Sequence, residues 1–529
     1  MRRILEPGSN CWLSAETDQA GVLIDARDYY RTFYRAARRA RQYIAILGWQ
    51  FDSDVALLRG EDTRAAQGET RMLSLLRELC EHNPGLHVYI LAWDFSLVLA
   101  LEREWMQKVI FNWSSERISF RFDTSAPLGG AHHQKLVIID GQLAFTGGMD
   151  ICDCRWDDRS HPARSTLRCD SGRDPHGPYH DVQSVAAGPV VERLVELYEA
   201  RWFNSGGGPL RLPSPVSRDD VEVEATLPLP PGPVAISRTF GKTLVPLQEP
   251  VQEIRALYLD AIHAAERLIY LENQYLSSRA IFQALVRRMR EQERGRLQIV
   301  LMLPRMPEAL REQLAMGVAQ VRLLRALQRV AREAGHELGV YCSAARDELG
   351  QDVFTYIHSK LMVVDDDFLT IGSANTTNRS LGMDSELNLA WEAPEAHEGR
   401  MMRRAIQRVR VSLLAEHAGL EGRRALRELA RPDRLVSFLD EVAASGQHRL
   451  RHHPMETVFD QSPLLKPLEP EELVFDPEDS LLDESLFESL RQEQGLLATG
   501  FRLLTRWFIG RPERCHPASL PAEATPPES

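Results

Sequence analysis

His133-Gln134-Lys135-Leu136-Val137-Ile138-Ile139-Asp140 and His358-Ser359-Lys360-Leu361-Met362-Val363-Val364-Asp365 are two copies of one pattern, His-x-Lys-x4-Asp, standing 225 residues apart. Each is followed at the same distance by a glycine and a second small residue, Gly147-Gly148 and Gly372-Ser373. The four apolar residues after each lysine read as a buried β-strand. Residues two apart on a strand point to one face, so His133 and Lys135, and likewise His358 and Lys360, project together.

Working outward, the offset of 225 also relates Ala40 to Ala265, ahead of the apolar runs 43–47 and 268–272. It falls to 211 between the runs 86–91 and 297–302, so insertions differ in place and cancel. The chain therefore reads as an internal duplication. In each half a helix-period segment is followed by alternating strands and helices, in the second half starting with Val251, Ile254, Leu257, Tyr258 and Ile262. That alternation predicts an α/β fold: two similar α-β-α sandwich halves with mixed, mostly parallel sheets. The expected boundaries are a first half at 1–203, a linker at 204–233 bounded by Gly206-Gly207-Gly208 and a proline run, a second half at 234–420, and a helical and acidic tail at 421–529.

With 529 residues and a formal charge of −12, the chain has room for two cores. Eleven acidic residues against Lys466 in 456–490 account for −10 of that charge, so the body is close to neutral. A near-neutral body disfavours an extended nucleic-acid surface. Seven scattered cysteines, an odd number, predict no disulfide framework and a reducing compartment. The N-terminus lacks a secretory apolar run and no stretch is long enough to span a bilayer. A cytoplasmic or peripheral membrane protein is expected. In the tail, Phe501, Leu504, Trp507 and Phe508 could form an amphipathic helix lying on a membrane or docking on the protein itself.

Phosphodiesters repel anionic nucleophiles, which suits a neutral imidazole as attacking group and a protonated one as acid for the leaving oxygen. Lys135 and Lys360 would hold the non-bridging oxygens, without a metal or other cofactor. Each imidazole needs a carboxylate on its other ring nitrogen, and Asp181 is expected to serve His133 and Glu386 to serve His358. Gly147, Gly148, Gly372, Ser373 and Asn375 are candidate phosphate contacts, Asp150 an acceptor that binds a leaving group or braces a loop. Asp140 and Asp365, at strand ends, are expected to brace turns. Cys152, Cys154, His161, Cys169, His176 and His180 suggest zinc, but their spacing is irregular, and surface-loop residues are the expectation. His132 should point away from His133 and be structural.

The duplicated pattern resembles that of the phospholipase D superfamily over roughly residues 21–421. The resemblance implies two α/β halves about a pseudo-two-fold axis with one active site between them. It also implies a covalent phosphohistidine on His133, with His358 as general acid. Trp49-Gln50-Phe51-Asp52, Arg155-Trp156-Asp157 and Leu271-Glu272-Asn273-Gln274-Tyr275 look like the phospholipase D branch, although Thr377 stands where that branch often carries Asn. The expected reaction is hydrolysis of a glycerophospholipid at a membrane surface to phosphatidic acid and a head-group alcohol, with transfer to other alcohols, by a monomer. A cardiolipin-synthase-like transferase is the nearest alternative, a nuclease the next.

Overall fold

Strand after strand in both halves is buried on both faces, from Tyr43–Gly48 and Leu136–Ile139 in the first to Leu268–Glu272 and Leu361–Val364 in the second. The computed structural model describes residues 3–93, 107–127, 129–215, 222–244, 247–291, 293–305, 310–395 and 399–456. The acidic stretch and the segment around Trp507 lie outside the described residues.

The first sheet runs in the order Leu227–Leu229, Gln19–Ile24, Val182–Ala187, Leu143–Gly147, Leu136–Ile139, Tyr43–Gly48, His87–Trp93, Ile118–Asp123. The second runs Leu13–Thr17, Gly232–Phe240, Glu386–Glu392, Phe368–Gly372, Leu361–Val364, Leu268–Glu272, Gln298–Met302, Glu337–Arg346, Asp352–Phe354. Both are mixed, but antiparallel pairs outnumber parallel ones, correcting the mostly parallel expectation. Parallel pairing is confined to the trio beginning at Tyr43–Gly48 and the trio beginning at Leu268–Glu272. The physical reason is that a fully apolar run reports burial on both faces and says nothing of direction. The His-bearing strands instead enter tight hairpins, Leu136–Ile139 with Leu143–Gly147 and Leu361–Val364 with Phe368–Gly372.

Register repeats between the halves: Ile44 faces Ile139 as Ile269 faces Val364, the same 225-residue offset. The motif aspartates hold this arrangement. Asp140 accepts hydrogen bonds from the backbone N–H groups of Arg41, Gln42 and Tyr43 at 2.7–2.8 Å, and Asp365 from those of Glu266, Arg267 and Leu268 at 2.7–2.8 Å. Both sit at positive φ, 53° and 55°, where a short polar side chain that bonds locally is tolerated.

Three apolar cores result. One lies between the sheets, joining Ala45, Leu136 and Ile138 to Tyr270, Val363 and Leu389, with the helices Pro189–Trp202 and Arg400–Ala418 contributing. The other two lie under outer helices: Asp25–Arg39 and Met72–His82 on the first sheet, Glu253–Ala264 and Arg279–Met289 on the second. The chain crosses between sheets at both ends of the first half. Leu13–Thr17 pairs with Gly232–Phe240 in the second sheet, whereas Leu227–Leu229, inside the expected linker, pairs with Gln19–Ile24 in the first. Residues after 420 are not all tail either: Leu450–His452 adds a strand to Glu337–Arg346, with the helix Leu435–Ser445 packed beside it.

Candidate active site

His133 and His358 stand just ahead of their strands, where backbone from the opposite half holds them. His133 N–H donates to Ser385 O at 2.9 Å, and His358 N–H donates to His180 O at 2.8 Å. Tyr179–His180 and Tyr356–Ile357 form a short parallel pair that stitches the halves together there. The carboxylates follow the same exchange. His133 Nδ1 donates to Glu386 Oε2 at 2.9 Å, and His358 Nδ1 to Asp181 Oδ2 at 2.6 Å. The expected partners are thus swapped. Asp181 and Glu386 begin equivalent strands, since Gln183 faces Gly147 as Asn388 faces Gly372. Within a half, a whole strand, Leu143–Gly147 or Phe368–Gly372, separates the carboxylate's strand from the histidine's. The opposite half reaches in directly.

The lysines are fixed differently. Lys135 Nζ lies 3.0 Å from Asp150 Oδ2 and faces the Trp49 ring at 5.9 Å, while Lys360 Nζ donates to Gln274 Oε1 at 3.1 Å. Asp150 also accepts from Trp49 N–H at 2.9 Å, so it braces a loop and pins a cation at once. Asn375, the counterpart of Asp150, donates from Nδ2 to Gln274 at 3.3 Å, and its Oδ1 is buried with no hydrogen bond among the described residues. Trp49 and Gln274 are themselves 225 residues apart. That offset was the signal by which both could have been chosen.

The glycines stand against polar side chains of neighbouring strands. A Cβ at Gly147 would meet Gln183 Oε1 at 2.0 Å, at Gly148 would meet Asp181 Oδ1 at 2.2 Å, and at Gly372 would meet Asn388 Oδ1 at 2.0 Å. They admit neighbouring polar side chains, and Gly148 in particular makes room for Asp181. Ser373 is likewise engaged, its hydroxyl donating to Glu386 Oε2 and accepting from Leu387 N–H at 3.0 Å.

Burial sets the electrostatics. It pushes the His133 imidazole well below its ordinary pKa, aided by Lys135 and Lys360, and pushes His358 down likewise, aided by Lys360, Arg155 and Lys135. Burial raises Asp181 to about 6 against the pull of Lys360, and raises Glu386 well above the carboxylate range with Asp384 adding to the effect. Burial thus favours the neutral form of both imidazoles and opposes charge on the two carboxylates that face them.

Two family models match this chain: "Phospholipase D" over residues 36–227 and "Cardiolipin synthase, PLD-like domain" over residues 258–403. The chain belongs to the phospholipase D superfamily. Phospholipase D alpha 2 of Oryza sativa subsp. japonica is 24% identical over 73% of this chain and 63% of its own length. Phospholipase D alpha 3 of Arabidopsis thaliana is 23% identical over 73% of this chain and 63% of its own length. The chain thus spans under two thirds of the length of these relatives. Among solved structures, phosphatidylserine synthase of Haemophilus influenzae Rd KW20 aligns with a TM-score of 0.49 and 13% identity, over 82% of this chain and 94% of that one.

Tyr179 and Tyr356 rings lie 5.5 and 6.4 Å from the His358 ring, and Trp49 lies edge-on to His133 at 5.7 Å. Of the six residues that suggested zinc, His161 and His180 are 0% exposed and Cys152 is 1% exposed, which corrects the surface-loop expectation. His132 is buried and bonded to Ser385 Oγ at 3.1 Å. No helix among the described residues is long and apolar enough to cross a membrane.

Proposed function

We propose that this chain is a phospholipase D acting at a membrane surface: it cleaves a glycerophospholipid to phosphatidic acid and the head-group alcohol, and transfers the phosphatidyl group to other alcohols as a side reaction. The observation that carries the reading is the pair of imidazoles, His358 buried and His133 partly so, each with Nδ1 committed to a carboxylate of the other half and each accompanied by a lysine. With Nδ1 engaged, Nε2 is the reacting nitrogen of both rings. His133 Nε2 attacks phosphorus, the bond from phosphorus to the head-group oxygen breaks, and His358 Nε2–H protonates that oxygen. In the second step water attacks phosphorus, His358 takes its proton, and the phosphorus–nitrogen bond breaks. Lys135, Lys360 and the Asn375 amide neutralise the non-bridging oxygens.

A phosphatidyltransferase using a lipid alcohol as acceptor would share the first step, and the family model matched by the second half bears that name. A nucleic-acid substrate is not expected, nor a metal or other cofactor in the reaction, and a monomer located in the cytoplasm or peripherally on a membrane is part of the proposal. Incubation with mixed phospholipid vesicles and, separately, single-stranded DNA tests it, comparing wild type with His133→Ala. Phosphatidic acid formed by wild type alone supports the reading. Cleavage of DNA without phosphatidic acid overturns it, as does release of cardiolipin as sole product.

A further inference from the structure

Behind His358 lies a second charged cluster that the proposed reaction does not use. Asp25, His161, His180 and Glu416 come from four separate segments, all buried, and each offers a ligand atom within 4.8 Å of the others. His161 Nε2 lies 3.3 Å from Asp25 Oδ2 and 3.1 Å from Glu416 Oε1, and His180 Nδ1 lies 2.9 Å from Asp25 Oδ1 and 3.0 Å from Glu416 Oε1. In a tetrahedron with bonds of about 2.0–2.1 Å, ligand atoms stand about 3.3 Å apart. The observed separations need only a few tenths of an ångström of expansion.

The outer ring nitrogens decide what faces inward. His161 Nδ1 donates to Asp157 Oδ2 at 2.9 Å, and His180 Nε2 donates to Glu272 Oε2 at 3.2 Å. A carboxylate behind each imidazole is the arrangement that orients metal-binding histidines and fixes their tautomers. With one proton per ring, the nitrogens turned toward Asp25 and Glu416 carry lone pairs that repel the carboxylates, and only a cation or a second proton on each ring relieves that repulsion. Consistent with this, Asp25 Oδ2 and His180 Nδ1 are fully buried and have no hydrogen bond among the described residues. Arg159 binds Glu416 Oε2 from outside, leaving Oε1 for the cluster, and Arg168 pairs with Asp157. Asp25 and Glu272 have no lysine or arginine partner among the described ion pairs. Two such buried negative charges call for two positive ones.

We propose that Asp25, His161, His180 and Glu416 bind one divalent transition-metal ion of the zinc type, with Asp157 and Glu272 as supporting acceptors. Two imidazoles and two carboxylates near tetrahedral spacing suit zinc, and the ion supplies the two positive charges that Asp25 and Glu272 leave wanting. The role is structural. The ion joins the first half to the helix Arg400–Ala418, and through Asp25, whose N–H donates to Asp181 O at 2.9 Å, it steadies the carboxylate that orients His358. Glu416 also lines a cavity of about 990 Å³ together with Arg159, Ser412 and Arg449.

The competing arrangement has protons in place of the ion, both imidazoles being doubly protonated. Metal analysis of the full chain, purified without a polyhistidine tag, separates the two. The expected result is about one zinc per chain in wild type and in His133→Ala, retained through dialysis. Glu416→Gln and His161→Gln should lose it, and a strong chelator should lower the melting temperature of wild type until zinc is restored. Less than about a tenth of an equivalent in wild type, with no thermal response to added Zn²⁺ or Co²⁺, overturns the proposal in favour of protons. Retention of zinc by both variants overturns it too, by placing the ion elsewhere. If the variants do not fold, wild-type stoichiometry and the visible spectrum of the Co²⁺-substituted protein decide: a tetrahedral Co²⁺ spectrum supports the site, and its absence overturns it.

Discussion

Exchanging the two carboxylates for amides, Glu386→Gln and Asp181→Asn, separates the two chemical steps because each carboxylate serves the other half's histidine. Gln at 386 can present its NH₂ to His133 Nδ1, which shifts the ring proton to Nε2 and takes the lone pair away from phosphorus. Loss of a correctly oriented acid or base group costs ~10²–10⁴ in rate, which is about 2.7–5.4 kcal/mol of activation free energy. The loss from Glu386→Gln should appear with every substrate, since it strikes the attack itself. Asp181→Asn strikes the acid. A p-nitrophenyl phosphodiester expels its leaving group without protonation, so with that substrate the first step should survive within ~10-fold, while an unactivated head group suffers the full loss. The variant should also stall afterwards, because His358 no longer draws a proton from water. Rapid-mixing measurements of nitrophenolate release should therefore give a burst near one equivalent for Asp181→Asn, with the adduct on the peptide containing His133, and no burst for Glu386→Gln. A burst from Glu386→Gln and none from Asp181→Asn refutes the reasoning. An adduct mapped to His358 assigns the fault to the roles, and one mapped to His133 assigns it to the pairing.

Gly148→Ala tests whether that glycine admits Asp181 or phosphate. The added methyl meets Asp181 Oδ1, so kcat should fall by ~10²-fold with KM little changed; a large rise in KM at constant kcat contradicts this. Asp140→Ala leaves three backbone N–H groups without their acceptor and should cost about 2–4 kcal/mol in urea unfolding, with Asn recovering part of it. Equal stability of the Ala variant contradicts the bracing role. For His133, burial and then Lys135 hold the imidazole down, so the folded ring stays neutral as pH falls below the ordinary value of about 6.5. The unfolded ring takes a proton there, and its contribution to stability is lost as pH drops from that value toward the folded pKa. Side-chain NMR should show His133 uncharged at pH 6 and Lys135→Met should raise its midpoint; a wild-type midpoint at or above 6.5 sinks the account.

The repeat was legible because its constraints are local. His and Lys two apart, the apolar run and the closing Asp are all set within one strand and its turn, and Asp140 and Asp365 do the bracing work expected at strand ends. Elements were legible for the same reason. Pairing direction was not, since Leu136–Ile139 reads equally well in either sense and only its hairpin with Leu143–Gly147 decides. The expected first half, 1–203, takes in Leu13–Thr17, which pairs in the second sheet with Gly232–Phe240, because nothing local in the sequence ties the two together. Nor could spacing reveal that His161 and His180 meet Glu416, a residue more than 200 positions away in the other half.

The swapped carboxylates have a consequence for the duplication. In each half one strand intervenes between the strand at the carboxylate and the His strand. Neither half orients its own imidazole in this structure. Facing halves do, because the start of each carboxylate strand meets the histidine of the other, with backbone bonds from Ser385 and His180 fixing the approach. Orientation of both rings therefore depends on one interface. The same dependence explains why so many buried charges gather there: His180 hands its carbonyl to His358, its ring to the cluster with Asp25 and Glu416, and its neighbour Asp181 to catalysis. A shift of the interface that leaves each half folded disturbs both histidines together.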